Sequence, residues 1–336
     1  MSDFLDTDTE TDQKFARETV VAAGAAGRGA QAEFALSRAR RTDSQRADGS
    51  RKRPLGRWFR ETGWRHLVGV VMIVFSVFPL LFALSASLNP RGTLTGSNAL
   101  FSVFGLESYA RILTSPQIPY TAWFMNTIVI AVVTGVCSVL LGALAAYSFS
   151  RMRFTGRRFG LVSIVVIQMF PQMLAVVAIF LLLSTIGDYF PAIGLDSRLG
   201  LIMVYLGGAL GVQTFLMYGF FNTVPASLDE AAKLDGAGHA RIFFTIILRL
   251  VVPILAVVGL LSFIGTFNDY VIASVLLIEP ENQTLAVGLI KLVSNPRYAD
   301  WSAFSAGAVM AAIPVVVLFL YLQKYIVGGL TAGAVK

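Results

Sequence analysis

Along most of the chain, long apolar runs alternate with short polar stretches. Six runs, at about 66–88, 124–150, 159–186, 199–222, 246–275 and 303–327, are long enough to form membrane-crossing helices, since a hydrocarbon core needs about 20 helical residues. The third and fifth exceed a minimal span, which predicts tilt or a break within them. The third holds "IQMFPQM", where Pro171 would free a backbone carbonyl near the middle of the membrane. In the second, "TGVCSVLLGALAAYS" sets small residues where a neighbouring helix can approach, so this run is expected to be internal. Residues 1–62 lack the pattern and read as a disordered, basic tail.

Composition agrees with a membrane protein: 55% of the 336 residues are hydrophobic and only 14% are charged, whereas soluble domains carry about a quarter charged residues. In a soluble protein the net charge of +7 would suggest nucleic acid. Here the basic residues sort by loop. Arg51, Lys52, Arg53, Arg57, Arg60 and Arg65 precede the first run, and Arg151, Arg153, Arg157 and Arg158 follow the second. Lys233, Arg241 and Arg249 follow the fourth, and Lys324 and Lys336 close the chain. The alternate loops hold only Arg91 and Arg111, then Arg198, then Lys291 and Arg297. The excess of Lys and Arg on one side predicts an all-α protein of six transmembrane helices with both termini in the cytoplasm. The acidic start "MSDFLDTDTETDQ" is unlike a signal peptide.

Several chemistries are excluded by what is missing. The single cysteine, Cys137, allows no internal disulfide and no cysteine metal site. The two histidines, His66 and His239, are far apart in sequence, and no nucleophile–base arrangement stands out. No G-x-x-x-x-G-K-[ST] run occurs, so the chain has no P-loop for ATP. An ion-driven transporter is expected to carry a midplane carboxylate or inverted repeats, and neither is evident.

One polar stretch asks for a different explanation: "VPASLDEAAKLDGAGHARIFFTIILRLVVP", Val224 to Pro253. Pro225 ends the preceding span. Ser227 and Glu230 have the spacing of a capping box, and Asp229 and Glu230 suit the positive end of a helix dipole. Ala231 and Ala232 leave a low face, and Asp235-Gly236 with Gly238 permits a left-handed stop. The expectation is a cytoplasmic surface helix of about two turns, serving either as a connector or as a docking surface.

"EAAKLDGA", preceded by "VPASLD" and followed by an apolar stretch with Pro253, resembles the EAA loop of binding-protein-dependent ABC importer permeases. The resemblance runs from about Ala122 to the end, plus the first span. "TLAVGL" at Thr284–Leu289 and "GGLTAGAVK" at Gly328–Lys336 are similar to the carbohydrate-importing, maltose/maltodextrin-type subunits. The resemblance implies a type I ABC importer permease fold in a prokaryotic cell membrane. Its permease core would span 122–327, with the EAA loop at 223–245 and a C-terminal tail at 328–336. Glu230, Ala231, Ala232, Asp235 and Gly236 would form a coupling helix seated in a partner ATPase, and that partner would bind ATP and Mg. Gly329, Leu330, Thr331 and Lys336 would reach the ATPase interface. Asn295, Pro296, Arg297 and Tyr298 would form the tip of an outer loop that enters an extracytoplasmic sugar-binding protein. A second permease subunit would complete the path. Maltose, maltodextrins, trehalose or another oligosaccharide remain open as cargo. One departure is Arg249, where the family commonly has proline.

Gln168, Phe170, Gln172 and Gln213 are the residues expected to line a translocation path, with interhelical hydrogen bonding as the alternative. Tyr218 has the same two readings. Asn268 and Asp269, near the outer end of the fifth run, read as interface residues rather than a proton relay.

Overall fold

The computed structural model describes residues 62–90, 100–209, 211–297 and 299–332, and the expected tail at 1–62 lies outside them but for its last residue. The described residues contain helices and no strand. The chain divides into two units, Met1–Ser76 and Val77–Lys336. The first apolar run forms α1, Trp64–Ser87, which crosses that division and exposes its side chains along most of its length.

All that follows lies in the second unit. A short helix α2, Glu107–Thr114, precedes α3, Tyr120–Arg151, a continuous helix of 32 residues. The expectation for "TGVCSVLLGALAAYS" holds: Thr134, Gly135, Ser138, Gly142, Ala143, Ala146 and Tyr147 are buried. These small side chains allow close approach on two sides of α3. Gly135 lies against the backbone of Gly259, and Gly142 against Met217.

The third, fourth and fifth runs are each broken. α4 (Arg157–Gln168) and α5 (Gln172–Tyr189) meet at 98° across Pro171, as the proline predicted. α6 (Arg198–Ala209) and α7 (Val212–Phe221) meet at 51°, a break not expected from the sequence, where glycines flank the joint. The surface helix α8 is Ala226–Leu234. The fifth run begins earlier than expected, at α9 (His239–Leu250), then turns 81° at Val251 into α10 (Val252–Asn268). Pro253 sits in the first turn of α10, where its missing N–H costs nothing. Among the described residues, three helices are long and apolar enough to cross a membrane singly, and the three bent pairs bring the total to six if each crosses once.

The remaining elements are α11 (Val271–Leu276), α12 (Leu285–Ser294) and α13 (Trp301–Ala332). Gly329, Leu330 and Thr331 of the expected tail lie in the final turn of α13. Lys336 lies outside the described residues.

Side chains fasten the loop between α11 and α12. Asp196 accepts hydrogen bonds from the backbone N–H groups of Ile278 and Glu279 (2.9 and 3.0 Å) and from Asn282 Nδ2 (2.7 Å). Its own φ is +58°, a left-handed conformation that aspartate tolerates better than most residues. Asp196→Ala is expected to loosen this corner by about 1–2 kcal/mol, since hydrogen bonds to a charged acceptor are the stronger kind. Hydrogen exchange should rise at the amides of Ile278 and Glu279 and stay unchanged in α3 and α10. Unchanged exchange at those two amides would show that the carboxylate does not hold the loop.

Candidate functional site

α8 is where the polar stretch of the sequence becomes a defined object. Its N-cap is Pro225, with no side-chain cap, so the expected capping box is absent. Ser227 lies inside the helix, two residues past the N-cap position from which a side-chain hydroxyl receives the free amides of the first turn. The C-terminal stop is as expected. Gly236 has φ +79°, and the amides of Ala237 and Gly236 bond back to Ala232 O (2.9 Å) and Lys233 O (3.0 Å). This is the paired pattern of a Schellman motif, which needs a left-handed residue at this place.

The two alanines meet different surroundings. Ala232 is buried among Tyr147, Met217, Phe221, Ile242 and Phe243 of the chain's own core, whereas Ala231 is exposed. Glu230, Lys233, Asp235 and Gly236 are exposed as well, and Leu234 is 90% exposed. Leu228, at 40%, is the other large apolar side chain that α8 leaves open.

Sequence reasoning gave Asp229 a role at the helix dipole and assigned none to Arg151 beyond its charge. In the fold Asp229 is 6% exposed. Its Oδ2 lies 2.8 Å from Arg151 Nε, at the last residue of α3. Arg151 Nη2 also donates to Val224 O at 2.6 Å, just before α8. One arginine thus holds both the helix and the chain entering it. No local signal pairs residues so far apart in sequence. The nearest clue was an arginine at the end of an apolar run.

A cavity of about 1110 Å³ opens between the broken spans. Gln168, Phe170 and Gln213 line it, with Thr134, Tyr205 and Asp269. Gln168 Nε2 donates to Gly208 O at 3.0 Å, bridging from the end of α4 to the break in the fourth span. The side chain of Gln172 is not among those described. Tyr218 faces elsewhere: its hydroxyl accepts a hydrogen bond from Arg157 Nη2 at 3.1 Å. Asp269 accepts from Tyr205 OH (2.8 Å) and from the amide of Ala273 (3.1 Å), so it joins α6 to the start of α11. Asn268 Nδ2 bonds within α10, to Ile264 O.

The turn after α12 exposes Asn295, Pro296 and Arg297, and Tyr298 lies outside the described residues. Asn295 Oδ1 accepts the amide of Arg297 at 3.1 Å, which closes the turn. Its base is fixed by Asp300, which pairs with Arg111 and accepts the amide of Ala303 in the first turn of α13.

Residues 138–331 match the family described as binding-protein-dependent transport system inner membrane component. The chain is 40% identical over 276 residues to the maltodextrin transport system permease protein MdxG of Bacillus subtilis, covering 81% of this chain and 95% of that one. It is 39% identical over 272 residues to the galactooligosaccharides transport system permease protein GanQ of the same organism, covering 81% and 94%. A chain in the crystal structure of a bacterial ABC transporter involved in the import of the acidic polysaccharide alginate superposes with a TM-score of 0.66 at 27% identity, covering 80% of this chain and 98% of that one. The chain belongs to the binding-protein-dependent inner membrane components, the multi-pass permease subunits of ABC importers, which have no ATPase site of their own.

Proposed function

We propose that this chain is one of two permease subunits in an ATP-driven importer of oligosaccharides of the maltose/maltodextrin type. The observation that carries the reading is α8: a short surface helix, anchored from within and open on its outer face, on a chain with no P-loop. Energy for uphill transport must then arrive from another chain, and α8 is the contact built to receive it. Both termini and α8 lie on the cytoplasmic side in this reading, where the arginine-rich loops are. Glu230, Ala231, Asp235 and Gly236 face the ATPase subunit, which binds ATP and Mg. Ala232 sets the depth at which the helix sits. Gly329, Leu330 and Thr331, with Lys336 beyond them, extend toward the ATPase interface.

On the outer side, Asn295, Pro296, Arg297 and Tyr298 meet an extracytoplasmic sugar-binding protein. Gln168, Phe170, Gln172 and Gln213 belong to the wall of the path. Motion of the ATPase dimer would switch the side to which that path opens. The relatives named above differ in the sugar they are named for, which favours an oligosaccharide class over one sugar.

Co-purification tests the assembly. Tagged chain should bring down an ATPase subunit and a second permease, and uptake that continues without an ATPase would overturn the reading. Arg297→Ala is expected to raise the concentration of binding protein needed for half-maximal stimulation of ATPase about fivefold, as loss of one exposed interface contact costs about 1 kcal/mol. An unchanged half-stimulating concentration in that variant would remove the turn from the interface.

A further inference from the structure

The chain leads from α8 into the membrane on both sides: back through residues 222–225 to α7, which is bent 51° from α6, and on through α9, whose residues Ile242–Ile247 form a π-helix, to the 81° turn at Val251. Such joints absorb displacement, since π turns and helix breaks are where backbones yield. Another route runs through space. Arg151 and Asp229 form an ion pair with side chains only 11% and 9% exposed, and Arg151 grips Val224 O as well. A pair shielded from water is costly to break by removing one partner, so moving α8 pulls on the end of α3. α3 is continuous over 32 residues, about 48 Å at 1.5 Å per residue.

The far end of α3 is fastened with equal care. Trp123 Nε1 donates to Pro280 O (2.6 Å), and Asn126 Nδ2 to Glu281 O and Gln283 O (2.8 and 3.0 Å). Thr127 Oγ1 accepts the amide of Leu285 at 2.7 Å, at the start of α12. α12 in turn ends at the turn carrying Asn295–Arg297. One continuous helix therefore grips the surface helix at one end and the loop before α12 at the other.

We infer that α3 is the strut through which docking of the binding protein on the outer loops is communicated to the ATPase-facing helix, with Arg151–Asp229 and Asn126 as its two positioning clamps. This rests on the assignment of α8 to the ATPase and of the outer loop to the binding protein. Coupling between the two sites is then reciprocal: whatever the outer protein does to α8, the ATPase does to the outer loop.

The test is a double-mutant cycle in the complete transporter in proteoliposomes, read as basal ATPase and as ATPase stimulated by the cognate binding protein. Maltotriose or galactotriose is the sugar, whichever stimulates the unmodified complex. Arg151→Met and Asn126→Ala should each lower stimulation about tenfold, within the ordinary range of coupling between sites. Co-purified ATPase and basal hydrolysis should stay unchanged in Asn126→Ala, and in Arg151→Met stimulation is read relative to that variant's own basal rate. The double variant should be no worse than the worse single one, because both cut the same route. Arg151→Lys, which keeps the charge but loses the two-point grip, should fall between. Multiplying losses would mean two independent sites, and full stimulation in either single variant would remove that clamp; both outcomes overturn the strut. Equal loss of basal and stimulated activity would mark a merely structural role and overturn it too. Should Arg151→Met fail to assemble, Asp229→Asn and Arg151→Lys carry the same comparison. Retention of the ATPase by Glu230→Arg would count against α8 as the docking helix and leave the cycle to be judged on its own result.

Discussion

Replacing Glu230 by arginine is expected to lower ATP-driven uptake about 100-fold, equivalent to about 2.7 kcal/mol of lost docking. Glu230 is exposed on α8 and takes part in no ion pair among the described residues. A change there alters the fold's own stability by only about 0.5 kcal/mol or less. Reversing the charge at the centre of a docked surface instead sets like charges or an unpaired charge against the partner, which costs several kcal/mol. The measurement is the amount of ATPase retained on tagged chain, beside uptake in proteoliposomes and the thermal unfolding of the isolated permease pair. The expected pattern is unchanged unfolding, lost ATPase and lost uptake. A variant that keeps its ATPase and its uptake would show that α8 is a connector, the other reading of the stretch.

Gly288→Ala is expected to destabilise the packing of α12 on α3 by about 2–4 kcal/mol, a sign opposite to that of helix propensity alone. In an unobstructed helix the change would gain about 1 kcal/mol. Here a methyl group at residue 288 would stand 2.2 Å from two ring carbons of Trp123. Trp123 is buried and tied to Pro280 O, so the ring has no free direction to take. Overpacking of this kind costs about 1–3 kcal/mol, and displacing the indole adds the loss of its hydrogen bond, about 1 kcal/mol. Thermal unfolding of the detergent-solubilised complex reads the loss. Adding Trp123→Ala should bring no further loss on top of Gly288→Ala, because the clash it relieves offsets the cavity it leaves. A stable Gly288→Ala protein would mean that α12 can move away from α3, and the outer clamp would then be weak.

The broad outline was legible in the chain. Apolar runs longer than a bilayer needs, with arginines sorted to alternate loops, predict a multi-span helical protein from hydration alone, since neither free backbone groups nor charges are stable in hydrocarbon. Pro171 marked the break between α4 and α5 because proline acts locally. The left-handed stop at Gly236 was legible for the same reason. The capping box at Ser227 was misread because Pro225 itself takes the N-cap position and shifts the helix start. The break between α6 and α7 went unseen, as glycines within an apolar run mark a joint as readily as a packed helix.

By itself the sequence determined the class of protein, the surface helix and its stop, and the absence of an ATP site. These follow from composition, local backbone preference and motif chemistry, all properties of neighbouring residues. Only the tertiary structure decided which way α8 faces, burying Ala232 and leaving Ala231 and Leu234 open. It alone joined Arg151 to Asp229, and Trp123, Asn126 and Thr127 to a loop more than 150 residues away. Those contacts depend on how helices stack in three dimensions, and the order of residues along one chain carries no direct trace of it.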